Sequence, residues 1–276
     1  MDIAEYLSGY RLIDAPPKAE GRTIDGELEA AEGIAFSKYR VDESKFAAYC
    51  AEVAYERRFA KYHRQYGAEP TWTRKRLEHF VSFEFTTPQR EGLYLDVAAS
   101  SSPVYKIIPS RFGARKSYRQ DLNFKRGVRW RTIGSDASQI PLPDGCADAI
   151  YAHNSWEHFE GDSDVLFLRE AARLLKPGGR LVIIPLNVGV EGFQLTSPAV
   201  WSMKYRNAPE PPEFDKTLPI LIRESTKQRL IKMHSVATLV DAVSTVPELV
   251  VTVYAVENHR DFDFQRHFLV GERVDS

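Results

Sequence analysis

The chain has only two cysteines, Cys50 and Cys146, far apart and at no metal-ligand or redox spacing. That argues against a disulfide-stapled scaffold or a cysteine-built metal centre, and it reads as two free thiols in a reducing, cytoplasmic compartment. A long uncharged apolar run is also missing. The opening MDIAEYLSGYRLID carries acids within every apolar stretch, so neither a secretory signal nor a membrane partner is expected. Charge of one sign is not in excess. The formal net charge is −1, which leaves no global field to draw in nucleic acid. One local run (Arg57, Arg58, Lys61, Arg64, Arg74, Lys75, Arg76) reads as a solvated helix face. No G-x-G-x-x-G opens a helix after a strand, which counts against a dinucleotide oxidoreductase. Internal repeats and low-complexity tracts are lacking too.

What is present is ordinary globular material. Hydrophobic residues at 43% and charged residues at 27%, over 276 positions, suffice for a large core without staples. Residues 1 to about 40 show weak periodicity and many turn residues, and they predict an irregular arm with a short helix. Asp42 or Ser44 suits the cap of a long helix ending at Tyr66, with Gly67 as its stop. Tyr55, Phe59, Tyr62 and Tyr66 recur at steps of 4, 3 and 4, so four rings share one face. That face either packs on the main domain or forms a lid over a cleft. Residues 1–90 are therefore read as an N-terminal helical extension.

From residue 91 the punctuation changes to strand, turn, strand and helix. Leu93–Ala98 predicts a first strand, followed by five small residues, Ala98 to Ser102. Pro103 suits the first turn of a helix that Pro109 cuts short. Further strands are expected at Ser117–Asp121, Val128–Ile133 and Ala147–Ala152. A helix from Ser163 places Val165, Leu168, Ala172 and Leu175 on one face. Lys176-Pro177-Gly178-Gly179 stops it before an apolar strand, Arg180–Pro185. The Pro-rich stretch 187–219, with Pro198, Trp201, Tyr205, Pro209 and Pro219, is long for a connection and suits a binding loop. A helix is expected over Lys227–Ser244. Leu249–Val256 and His267–Val274 are then strands joined by a link too short for a crossover, so they pair antiparallel. The fold class is α/β: a Rossmann-like open sheet, mostly parallel, with an antiparallel terminal pair, over residues 91–276.

The motif order resembles the class I S-adenosylmethionine-dependent methyltransferases, in particular the group acting on small molecules. The residues that carry the resemblance are Asp96 with its small-residue loop, Asp121, Asp136-Ala137 before Pro141-Leu142-Pro143-Asp144, Glu157-His158-Phe159, and Leu174-Leu175-Lys176-Pro177-Gly178-Gly179. It covers about residues 92–186. The chain departs from the family at the first motif, where Ala98, Ser100 and Ser102 stand at positions of alternating glycines. Those glycines serve close approach to ligand and positive φ.

The resemblance implies that Asp96, Ala98, Ala99, Ser100 and Ser102 border the methionine end of the cofactor S-adenosylmethionine. It implies that Asp121 holds the ribose, although a turn-capping role in Asp-Leu-Asn competes. Asp136 would accept from the adenine amino group, with the Ala137 amide donating to the ring. His153 or Asn154 would face the methyl-bearing half. His158 or His153 is the candidate general base, oriented by Glu157, because a hydroxyl nucleophile must lose its proton. The plainer alternative is that Glu157-His158 bridges the loop to the next helix. His153, Glu157, His158, Asp162 and Asp164 lack the spacing of a helix-borne metal site, and no metal is expected. The expected substrate is a small polar or carbohydrate-like molecule, methylated at oxygen, and a homo-oligomer is compatible with the chain. A non-catalytic binding or scaffold protein with a degenerate cofactor loop is the rival reading.

Overall fold

A computed structural model describes residues 2–18, 21–202, 210–226 and 228–275. In chain order its elements begin with α1 (Ile3–Leu7), β1 (Leu12–Ile13), α2 (Ile24–Ala30), β2 (Ala35–Tyr39) and α3 (Glu43–Val53). They continue with α4 (Tyr55–Arg58), α5 (Ala60–Tyr66), α6 (Thr71–Thr86), β3 (Leu93–Val97), α7 (Val104–Phe112), β4 (Lys116–Arg129) and β5 (Thr132–Gly134). Next come β6 (Ala147–His153), α8 (Ser163–Leu174), β7 (Leu175–Ile184), β8 (Val188–Gly189), β9 (Phe193–Thr196) and β10 (Ile220–Ile222). The chain closes with β11 (Ile231–Ser235), α9 (Val236–Ser244), β12 (Leu249–Val256) and β13 (His267–Arg273).

Eight strands form the main sheet in the order β2-β12-β13-β7-β6-β3-β4-β5. β3, β4, β6 and β7 pair in parallel, whereas β13 runs antiparallel to both β7 and β12. This is the Rossmann-like sheet with an antiparallel terminal pair. From β3 the chain moves outward through β4 and β5, then crosses back to place β6 on the other side of β3. That reversal makes a crevice at the carboxyl ends of β3 and β6, where ligands of open α/β sheets bind.

Alternation along the strands sorts the core. Leu95, Val97, Ile150, Ala152, Leu181 and Ile183 face α2, α8 and α9 in one cluster. Tyr94, Tyr151, Val182 and Ile184 face α3, α5, α6 and α7 in the other. A second sheet, in the order β1-β10-β9-β11-β8, gathers the Pro-rich stretch. Tyr205, Pro209 and Lys227 lie outside the described residues.

Several local expectations are corrected. The described residues of 1–40 hold two helices and two strands rather than an irregular arm, and β2 pairs with β12 while β1 pairs with β10. The long helix is broken into α3, α4 and α5: Ala54 takes the left-handed conformation at φ 49 between the first two, and Phe59 leaves the helical region at φ −129, ψ 47 between the last two. α7 continues past Pro109 to Phe112. Proline has no N–H for the Tyr105 carbonyl, and the Arg131 guanidinium donates to that carbonyl at 3.4 Å.

The strand expected over Val128–Ile133 is shorter, and Val128 and Arg129 belong to β4. β4 passes over the end of β5 and returns along its outer side. Gln120 and Val128 both lie opposite Ile133, and Arg119 and Arg129 both lie opposite Thr132. Gly134 makes this crossing possible, since a Cβ there would lie 2.2 Å from the Lys125 carbonyl oxygen. The helix expected from Lys227 begins only at Val236, where Ser235 and Thr238 form a capping box, and Ile231–Ser235 is strand.

Candidate active site

The first turn keeps the backbone shape that glycines usually supply. Ala98 has φ 49 and Ser100 has φ 44. A left-handed conformation costs a non-glycine residue about 1–2 kcal/mol, so the loop is held against a preference. What holds it is a set of amide hydrogen bonds to Gln120 and Asp121 within β4. Ala98 N–H donates to Gln120 Oε1 (3.1 Å), Ala99 N–H to the Gln120 carbonyl (2.9 Å), and Ser100 N–H to Asp121 Oδ2 (2.9 Å). Ser102 N–H closes the turn on the Ala99 carbonyl at 2.7 Å. Gln120 is itself anchored, its Nε2 donating to the Ser135 carbonyl at 2.5 Å.

Asp121 is buried and fully engaged, because its other oxygen accepts from Asn123 N–H at 2.8 Å. Asp136 stands exposed past the end of β5, with Oδ1 accepting from Ser138 N–H and Oγ. Ala137 beside it is buried.

Asp96 ends β3 only 1% exposed. Its Oδ1 lies 3.0 Å from His153 Nδ1 at the end of β6, and its Oδ2 has no hydrogen-bond partner among the described residues. The other imidazole nitrogen, Nε2, lies 2.9 Å from Ser82 Oγ on α6. Asn154 follows, exposed and at φ 48, with its N–H on the Ile184 carbonyl. The loop then makes a short turn over Trp156–His158. Glu157 is buried there, and its Oε2 has no hydrogen-bond partner among the described residues.

His158 Nδ1 lies 2.6 Å from the Leu230 carbonyl, which only accepts, so that nitrogen carries the proton. Nε2 is then the basic nitrogen of that tautomer and lies 3.8 Å from Glu157 Oε1, with the His158 side chain one-third exposed.

The structure thus joins Asp96 with His153, Asp121 with the Ala98–Ser102 turn, and Glu157 with His158. Asp136 keeps to its own turn. The sequence reading missed the contribution of α6. Glu78, His79 and Ser82 are all buried on it, among Leu77, Phe80, Val81 and Phe83. Lys75 Nζ bonds both Glu78 oxygens, at 2.9 and 3.1 Å, and burial raises the Glu78 carboxyl above its ordinary range. His79 packs edge-on against His153 at 4.9 Å between ring centres, and its Nδ1 lies 2.7 Å from Tyr55 Oη, which lies 2.5 Å from Tyr49 Oη. Burial pushes its pKa well below the ordinary histidine value, so the ring is neutral. The available signal was three polar residues, Glu78, His79 and Ser82, interleaved with the apolar residues Leu77, Phe80, Val81 and Phe83. Gln65 on α5 was missed too; its Oε1 accepts from Ser101 Oγ at 2.7 Å, which ties α5 to the first turn. No metal-ligating cluster occurs among the described residues.

Comparison with known proteins agrees with the motif order. Residues 111–183, from the end of α7 through β7, match the family model described as "Methyltransferase domain". No curated protein matches the chain. Solved structures of similar shape include the Burkholderia thailandensis 1,6-didemethyltoxoflavin-N1-methyltransferase, at 15% identity and TM-score 0.46, covering 87% of this chain and 93% of that one. Another is the Streptomyces coelicolor A3(2) geranyl diphosphate C-methyltransferase, at 14% identity and TM-score 0.47, covering 95% of this chain and all of that one. Over residues 111–183 the chain is thus similar to a methyltransferase domain.

Proposed function

We propose that this domain passes a methyl group from S-adenosylmethionine to a small polar acceptor, and that the accepting atom is an oxygen. A sugar, a glycan precursor or a secondary metabolite is the class to test first. The observation that carries the reading is the pair of buried, donor-less carboxylate oxygens at the crevice, Asp96 Oδ2 and Glu157 Oε2. An unmatched buried acceptor costs about 1–3 kcal/mol or more when charged, and a ligand ammonium or hydroxyl group would relieve it. Asp96 and the Ala98, Ala99, Ser100 and Ser102 turn would hold the methionine end of the cofactor, with Asp121, Asp136, Ala137, His153 and Asn154 along the rest.

The cofactor, when bound, supplies an electrophilic methyl carbon, so the protein's own work is to position, to dry the site and to move one proton. His158 fits the last task best. The Leu230 carbonyl fixes its tautomer, Nε2 is reachable, and Glu157 stands where it stabilises the protonated ring. His153 is the less suited of the two histidines, since both of its nitrogens are already engaged. α5, tied to Ser101 through Gln65, would act as the roof of the crevice.

The rival reading, a methyltransferase-fold protein without activity, draws support from Asp121. Both of its oxygens serve amides of its own chain. Titration with S-adenosylhomocysteine separates the two readings. At 100 times the dissociation constant, binding adds about 2.7 kcal/mol of stability, and the melting temperature rises. A flat melting curve and no heat of binding at millimolar ligand would establish the inactive protein instead. Within the active reading, His158→Gln lowers turnover about 100-fold or more while S-adenosylhomocysteine affinity stays within about two-fold. Equal losses in both would move His158 out of the proton-transfer role.

A further inference from the structure

The outer edge of the main sheet carries a feature that methyl transfer does not use. Where an open α/β sheet has a helix between neighbouring parallel strands, β4 instead arches over β5 and returns along its far side. Between residues 124 and 131 this stretch reads Phe-Lys-Arg-Gly-Val-Arg-Trp-Arg, with four cations and no acid. Lys125, Arg126 and Arg129 are exposed, and among the described residues none of the four cations is in an ion pair. Two apolar side chains stand out among them, Val128 at 47% and Trp130 at 83% exposure.

The stretch is a fixed platform. Gly134 lets its backbone lie directly on β5, the Arg119 guanidinium packs 4.7 Å from both the Tyr105 and Phe124 rings, and the Arg131 guanidinium reaches the Tyr105 carbonyl.

Charged residues on an edge strand have a plain use, which is to block pairing with a second sheet. That use accounts for Lys125, Arg126 and Arg129. It gives no reason for an indole presented to solvent beside an exposed valine. A single-stranded nucleic acid would want successive rings as stacking platforms. Here Phe124 is covered by Arg119, and the only other projecting apolar group is aliphatic. Indole, aliphatic chain and guanidinium together match the boundary layer of a bilayer, where tryptophan sits at headgroup depth and cations meet lipid phosphates.

We propose that the Lys125–Arg131 edge is a peripheral docking surface for an anionic lipid membrane. No helix of the described residues is long and apolar enough to cross a membrane, so the contact is with the surface alone. The expectation of no membrane partner rested on spanning segments, which this surface does not need.

The molecule contains its own probe. Trp72, Trp156 and Trp201 are at most 4% exposed, so Trp130 dominates solvent quenching of fluorescence. The full chain is mixed with vesicles of phosphatidylglycerol and phosphatidylcholine, with pure phosphatidylcholine vesicles and with a 20-nucleotide oligouridine. Partitioning onto the anionic vesicles only is expected, with a blue shift of emission and loss of acrylamide quenching, reversed by 0.5 M salt. Each charge removed lowers partitioning about five-fold, so Arg126→Ala with Arg129→Ala lowers it about 25-fold. Trp130→Phe abolishes the blue shift while thermal stability stays as in the parent. Failure to partition onto anionic vesicles overturns the proposal, as does partitioning that leaves Trp130 quenchable. Oligouridine binding that protects Trp130, with vesicles inert, overturns it in favour of nucleic acid.

Discussion

The two faces of the main sheet are built from different chemistry, although the same strands supply both. The face toward α2, α8 and α9 is mainly aliphatic, with Leu239, Ala242, Leu168 and Ala171 against Leu95, Ile150 and Leu181. The face toward α3–α7 is aromatic, with Phe46, Tyr49, Tyr62, Phe80 and Tyr151. Into that second face α6 inserts Glu78, His79 and Ser82, and the tyrosine pair Tyr49–Tyr55 ends on His79. Aliphatic side chains have no polar atoms to satisfy, so the first face is free to maximise packing. The second gives up some of that freedom to place titratable groups under the crevice. One side of the sheet is packed mainly with aliphatic side chains, and the other also buries polar and titratable groups beside Asp96 and His153.

Substitution tests that division. The largest expected effect is on the aliphatic side. Leu239 is fully buried, and Leu239→Ala should cost about 2–5 kcal/mol through lost transfer energy and the cavity left behind. Denaturant unfolding would read it, with S-adenosylhomocysteine affinity unchanged. An altered affinity would mean that the two faces are coupled.

A smaller effect belongs to the aromatic side and depends on pH. His79 stays neutral in the fold, because burial depresses its pKa, whereas the unfolded chain takes up a proton below about 6.5. Its depressed pKa therefore favours unfolding as pH falls through 6.5, by up to about 1.4 kcal/mol for each further pH unit. The contribution to stability is fully present at neutral pH. Acid titration of the unfolding free energy, parent against His79→Phe, should show this slope only in the parent. Identical slopes would remove His79 as a buried neutral base.

The smallest effect lies at the seam between the faces. Ala98→Gly and Ser100→Gly should each raise stability by about 0.5–1 kcal/mol, relief of the left-handed strain being offset in part by the freedom glycine adds to the unfolded chain. A loss of stability there, read by thermal melting, would show that the loop is not strained as its φ values imply.

Much of the sheet was legible from sequence, because buried parallel strands leave a plain mark. Ala147–Ala152 and Arg180–Pro185 read as apolar runs bounded by turn residues, and the short Glu257–Arg266 link dictated the antiparallel pair. Where propensity and tertiary pairing disagree, reading failed. RLIKMHSVATLV keeps helical periodicity through Ile231–Ser235, yet pairing with β8 and β9 makes that stretch a strand. Ala54 carries no mark of a break, since alanine favours helix, and only packing forces φ 49 there. Asp96 and Asp136 were readable as acids near strand ends, whereas Asp121, expected at a strand end, lies inside β4. Ser82 and Asp96, the partners of His153, come from 71 and 57 residues away, and Gln65, the partner of Ser101, from 36, and no local pattern encodes those distances.

The placement of β2 has a bearing on how the molecule is made. Phe36 lies opposite Val253, so one of the earliest strands to be synthesised can join the sheet only once one of the last exists. β1 waits in the same way for β10. Contacts of such long separation slow folding and leave apolar segments uncovered while synthesis proceeds. Ala35–Tyr39 thus lacks its sheet partner until Thr252–Val256 has been made.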